Sequence, residues 1–221
     1  MKIISYLLLL FLLLAGCSSK PAPGWIVSGN QQLESFKQHF LTGGQPVVAE
    51  RHFRRAVEEI KKAGDLDLLG KAWLTRMALE VAVLREMEEG DYLKVAAAQP
   101  VTANSNFYLF LKGEKIAVDR SLLPVQYCSF IDALRSGKLV AAEQTLTAME
   151  DDPLSRLIAA GIAVRLNLES EVILKVAVET ASRNGWKRAL LAWLERLRSF
   201  YEAAGDGAKA AAVRQRIDLM K

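Results

Sequence analysis

From residue 46 onward the chain is a succession of short amphipathic runs, several of them closed by a glycine. The breaks read Ala63-Gly64-Asp65, Glu89-Gly90-Asp91-Tyr92, Ser136-Gly137-Lys138 and Ala204-Gly205-Asp206. Glycine lets a chain leave a helix in the left-handed conformation that other residues avoid. An aspartate just after it can cap the next helix by accepting from a free N–H. Between the breaks, apolar residues recur at helical spacing. In 47–63 they are Val48, Phe53, Ala56, Val57 and Ile60, with charges between them, which is one buried stripe on a solvated helix. The same style predicts helices over 66–88, 122–136, 139–150, 154–166, 169–183, 186–204 and 208–220. Thr42-Gly43-Gly44-Gln45-Pro46 reads as a helix-breaking turn. No Lys-Ser or Lys-Thr follows it, so it is not a phosphate cradle. The expected class is all-α, built of antiparallel helical hairpins.

Small residues recur after three of the breaks, as Ala96 and Ala97, Ala141 and Ala142, and Ala210 and Ala211. An alanine there allows the second helix to approach the first closely. Gly137 and Gly205 lie 68 residues apart, twice a 34-residue period. Three segments carry the likeness: Glu89-Gly90-Asp91-Tyr92-Leu93-Lys94-Val95-Ala96, Gly137-Lys138-Leu139-Val140-Ala141-Ala142, and Gly205-Asp206-Gly207-Ala208-Lys209-Ala210. With Pro153 near an end-of-repeat position, the chain over most of 46–221 resembles tetratricopeptide-type helical repeats. The resemblance implies hairpins stacked as a short solenoid with a groove for another protein, since one such repeat cannot bury its own faces.

Residues 100–120 interrupt the pattern. Asn106-Phe107-Tyr108-Leu109-Phe110-Leu111-Lys112-Gly113 has β-hairpin composition. Phe107, Phe110 and Leu111 also fit i, i+3 and i+4, which favours a short helix followed by an irregular connection. These aromatics are read as core filling, with a ligand patch as the alternative.

The first 16 residues hold Lys2 and an apolar run of about 12 residues, too short for a comfortable bilayer span of roughly 20. Leu14-Ala15-Gly16-Cys17 resembles the lipobox of bacterial lipoproteins. That resemblance implies cleavage before Cys17, lipid on its thiol and amine, and, with Ser18 next, sorting to the outer membrane facing the periplasm. Residues 17–30, with Pro21, Pro23 and Gly24, are expected to form a flexible tether, and 31–221 a helical-repeat domain.

Charge is uneven. Residues 17–152 carry 16 basic and 18 acidic side chains, whereas 153–221 carry 12 and 7. The basic third could attract an acidic partner, and Arg156, Arg165, Arg188 and Arg196 are its candidate binding residues. Cys128, the remaining cysteine once Cys17 is lipidated, lies in an apolar helical pattern and reads as a buried structural thiol. His39 and His52 are the only histidines, and their spacing proposes neither a metal site nor a catalytic base. No nucleophile, phosphate-loop or dinucleotide motif occurs, and nothing resembles a nucleic-acid module. The expectation is a non-enzymatic, cofactor-free lipoprotein that binds another envelope protein. The alternative is a ligand-binding or self-associating structural lipoprotein, favoured if a pocket lies behind residues 107–111.

Overall fold

Asp65, Asp152 and Asp206 each cap a helix, accepting from the backbone N–H of Leu68, Ser155 and Lys209 at 3.0–3.1 Å. The computed structural model describes residues 23–220; the expected signal segment and Cys17 lie outside the described residues. Among the described residues there are eleven α-helices and no strand. They are α1 Gly24–Thr42, α2 Pro46–Lys61, α3 Leu66–Ala82, α4 Gly90–Ala98, α5 Thr102–Lys112, α6 Cys128–Ser136, α7 Leu139–Ala148, α8 Pro153–Arg165, α9 Glu171–Arg183, α10 Lys187–Ala203 and α11 Gly207–Asp218. Short 3-10 turns, Arg120–Leu122 and Val125–Tyr127, lead into α6. The class is all-α, and no helix among the described residues is long and apolar enough to cross a membrane.

Three departures from the sequence reading have physical reasons. First, α1 takes in residues 24–30, so the stretch read as tether is helical there. Pro23 stands at the N-cap, where the helix asks nothing of its missing N–H. Gly29 sits close to Glu59 Cβ and Ile60, so its small size lets α1 close on α2.

Second, α3 stops at Ala82 rather than continuing to 88. Leu84 adopts a left-handed φ of 58°, and the Arg85 N–H turns back to the Glu80 carbonyl at 2.8 Å. The Glu80 side chain accepts from the Glu88 N–H at 2.9 Å, and Trp193 Nε1 donates to the Ala82 carbonyl at 2.9 Å. Tertiary partners thus replace the bonds that another helical turn would have made. Gly90 consequently opens α4 instead of closing α3.

Third, Cys128 is half-buried rather than enclosed, at the start of α6 with Sγ 3.6 Å from the Arg120 carbonyl.

Residues 100–120 follow the helical alternative. Asn106, buried on α5, donates to the Asp119 carbonyl at 2.8 Å and accepts from the Asp119 N–H at 2.5 Å. This two-way bond fastens the irregular connection to the helix. Phe110 and Leu111 are fully packed, Phe110 lying 4.8 Å from Tyr127 and 6.4 Å from Phe130 between ring centroids. These aromatics fill core.

α3 is the centre of the molecule. It touches α1, α2, α4, α5 and α8. Its approach to α8 is set by Gly161, where an added Cβ would lie 2.3 Å from the Val81 carbonyl oxygen. Hairpins α6–α7 and α10–α11 turn on left-handed Gly137 and Gly205, as the breaks predict. A linear solenoid joins each repeat to its neighbours alone. Here α1 also packs against α10, which brings the first hairpin back to the last third of the chain.

Candidate functional site

The end of α3, the α1–α2 turn and the outer face of α10 meet along one open groove. Gly43, at the α1 C-cap with φ 77°, lies against Arg188: a Cβ added there would lie 3.0 Å from Arg188 Cβ. That contact sets the first residues of α10 beside Phe40, and the Arg188 guanidinium lies 4.9 Å over the Phe40 ring, a cation–π arrangement. On the other side, the left-handed Leu84 turns Arg85 out of α3. Arg165, the last residue of α8, donates from Nη2 to the Arg85 carbonyl at 2.7 Å.

Two clefts meet at Arg85. One, of about 490 Å³, lies between the end of α3, α8 and α10, and Arg165, Arg196 and Arg198 line it. The other, of about 350 Å³, has Phe36, Phe40, Pro46 and Val47 as its apolar surface and Arg54, Arg76 and Arg188 on its walls. Acidic groups are present too, as Glu50, Glu86 and Glu195.

Pairing decides which of these cations face outward. Arg76 is bound on three sides, to Glu50 at 3.0 Å, Glu88 at 2.7 Å and the buried Glu80 at 3.5 Å, and it stacks over Phe53. Burial raises the Glu80 carboxyl above its ordinary value, opposed by the Glu88 N–H and Arg76. Arg196 forms a two-pronged bond to Glu169 at 2.6 and 2.9 Å. Arg198 pairs with Glu195 at 3.1 Å.

By contrast, no carboxylate among the described residues comes within ion-pairing distance of Arg54, Arg85, Arg165 or Arg188. Burial first, and then nearby Arg85, pushes the Arg188 guanidinium down from its ordinary value. An arginine remains charged regardless. The groove therefore presents Arg188 held against an aromatic ring and Arg165 held by a backbone carbonyl, with no ion pair to either among the described residues.

Of the four arginines singled out by the charge count, three line this groove: Arg165, Arg188 and Arg196. Arg156 does not belong with them. It is 7% exposed. Its Nε and Nη2 donate to the Leu146 and Thr147 carbonyls at 2.7 Å, and Nη1 to Thr180 Oγ1 at 3.3 Å. Its guanidinium serves the end of α7 and offers nothing to a partner.

The charge count does not single out Arg54 and Arg85, because they sit in residues 17–152, whose net charge is negative. The available signal was local: Leu84-Arg85-Glu86-Met87-Glu88-Glu89 fills the space between a helix and the next Gly-Asp break.

The histidines also come together. His39 on α1 and His52 on α2 stack with ring centroids 5.1 Å apart and planes 5° from parallel, and His52 Nδ1 lies 2.8 Å from Gln32 Oε1. Burial, then His39, Arg55 and Arg51, lower the His52 value. No third histidine, cysteine or carboxylate completes a metal-binding group among the described residues. No protein-family model, curated protein or solved structure matches this chain.

Proposed function

We propose that this protein is a lipid-anchored, periplasm-facing lipoprotein of the outer membrane whose helical hairpins act as a scaffold for another envelope protein. The observation that carries the reading is the groove around Arg85, Arg165 and Arg188, arginines with no ion pair among the described residues. Long-range attraction and steering need such uncompensated charge, and paired surface charges supply little of it. The Gly137 and Gly205 hairpins fit a degenerate tetratricopeptide-like array, with the α1–α10 contact drawing its ends together.

Lipidation at Cys17 rests on the Leu14-Ala15-Gly16-Cys17 resemblance. With α1 starting at Gly24, residues 17–23 reach at most roughly 25 Å even when fully extended. The helical body then stays near the membrane surface. The alternative of a carried hydrophobic ligand was tied to a pocket behind residues 107–111, where Phe110 and Leu111 are buried in core.

The test is co-purification of tagged full-length protein from gently solubilised membranes after covalent crosslinking, with Cys17→Ala as the unanchored control. A stoichiometric envelope protein, lost in the control, is the expected result. The protein recovered alone from the membrane fraction would overturn the scaffold reading.

A further inference from the structure

Arg85 and Arg188 line the same cleft of about 350 Å³, close enough for Arg85 to disfavour the charge on Arg188, and among the described residues no carboxylate is paired to either. Like charges held together are costly where water is partly excluded, and an anion set between them relieves that cost. Arg188 is held through its side chain and Arg85 through its backbone. Phe40 lies under the Arg188 guanidinium and Gly43 against its Cβ. The left-handed turn at Leu84 sets Arg85, and Arg165 holds its carbonyl. Guanidinium forks suit planar oxyanions, so the missing counter-charge has the chemistry of a carboxylate or a phosphate.

Three observations select between sources. The clefts extend well past a single oxyanion, and one carries the exposed Val47 beside Phe40. The ligand therefore brings an apolar group beside its anion. Residues 1–22 contain no Asp or Glu, so that segment of this chain cannot provide the carboxylate. Arg188 is half-buried between the α1–α2 turn and α10, where an extended peptide reaches but a flat lipid surface does not.

We infer that Arg85 and Arg188 form a grip for an acidic segment of the partner protein, one that places a carboxylate between the guanidiniums and an apolar side chain on Phe40 and Val47. The inference rests on the scaffold reading and names the chemistry of its partner. Glu86 lines the larger cleft beside Arg85 with no salt bridge among the described residues, and it disfavours ligands whose charge lies toward that cleft.

The experiment uses full-length protein in detergent micelles and a fluorescein-labelled peptide of alternating Glu and Leu, read by anisotropy. A counterpart with Gln in place of Glu measures the part of binding that charge supplies. The Glu peptide is expected to bind about tenfold or more tighter than the Gln peptide, and the Arg85→Gln, Arg188→Gln double variant to erase the difference. If Arg188→Gln fails to fold by circular dichroism, Arg85→Gln alone carries the test. The Arg85 side chain has no described partner to lose, and a several-fold weakening is expected from it.

Equal binding of the two peptides, or unchanged binding by the variants, overturns the grip. Displacement of the Glu peptide by inorganic phosphate, or by phosphatidylglycerol in mixed micelles, also overturns it and assigns the site to phosphate or to lipid. The two readings separate cleanly. A crosslinked envelope partner retained by the double variant removes the grip and leaves the scaffold. A peptide grip with no partner in membranes does the reverse.

Discussion

Arg156 commits its guanidinium to two carbonyls at the end of α7 and to Thr180, while Arg85 extends from an exposed turn with no side-chain partner. Sequence alone gives the two the same charge and a similar helical setting. What separates them is which carbonyls lie nearby, and those belong to other helices. Arg156→Ala strands buried acceptors, so it is expected to lower stability by about 2–4 kcal/mol in a urea titration. Arg85→Ala is expected to stay within about 0.5 kcal/mol of the parent.

His52 gives a second prediction at this scale. Its value in the folded protein lies below the ordinary 6.5, chiefly through burial and then through His39, Arg55 and Arg51. The unfolded chain therefore takes up the proton first as pH falls, and stability is lost below about pH 6.5 until the folded histidine also titrates. Gln32 Oε1 and stacked His39 are the groups in direct contact. His52→Gln is expected to flatten stability across pH 5 to 6.5, as read by melting temperature. An unchanged slope would place the acid sensitivity elsewhere.

Helices were the most legible part of the sequence, because 3.6-residue periodicity and Gly-Asp breaks act locally. Asp65 and Asp206 cap the helices after their Gly-Asp breaks, and Gly137 and Gly205 turn at theirs. The end of α3 was not legible. Apolar periodicity runs on past Ala82, but Trp193, 111 residues away in sequence, takes the Ala82 carbonyl, and no local pattern signals that. Gly161 was equally silent, since a glycine inside an alanine-rich helix resembles filler until Val81 is found against it. Gly161→Ala forces α8 away from the α3 backbone and is expected to remove about 3 kcal/mol of stability. Trp193→Phe leaves the Ala82 carbonyl without its donor and is expected to remove about 1–3 kcal/mol. Both changes touch the end of α3 that projects Arg85. They are therefore also expected to weaken acidic-peptide binding, while Asp206→Ala, which removes the α11 cap and an ion pair to Lys209, neither involving a groove residue, leaves that binding unchanged.

At the scale of the whole molecule, hairpins drawn from both ends of the chain build one groove. α1 and the start of α2 supply Phe40 and Val47, the turn after α3 supplies Arg85, α8 ends on Arg165, and the first turn of α10 carries Arg188. A charge count comparing residues 17–152 with 153–221 singles out three of the groove arginines and passes over Arg54 and Arg85. The groove assembles across the chain's halves, and net charge along a chain does not report which cations lack partners in space. Exposed cations without counter-charge are screened by salt, with a Debye length of about 8 Å at physiological ionic strength. Partner capture by this face is therefore expected to weaken steeply as salt rises.

The most direct test of a partner seated on this groove is site-specific photo-crosslinking in intact cells. A photoreactive amino acid replaces Glu86, which lines the larger cleft beside Arg85, or Ile116, which is 81% exposed outside either cleft. The account predicts a discrete envelope-protein adduct from position 86 that disappears with Arg85→Glu and Arg188→Glu, and none from position 116. No adduct at 86, or the same adduct from both positions, would contradict it.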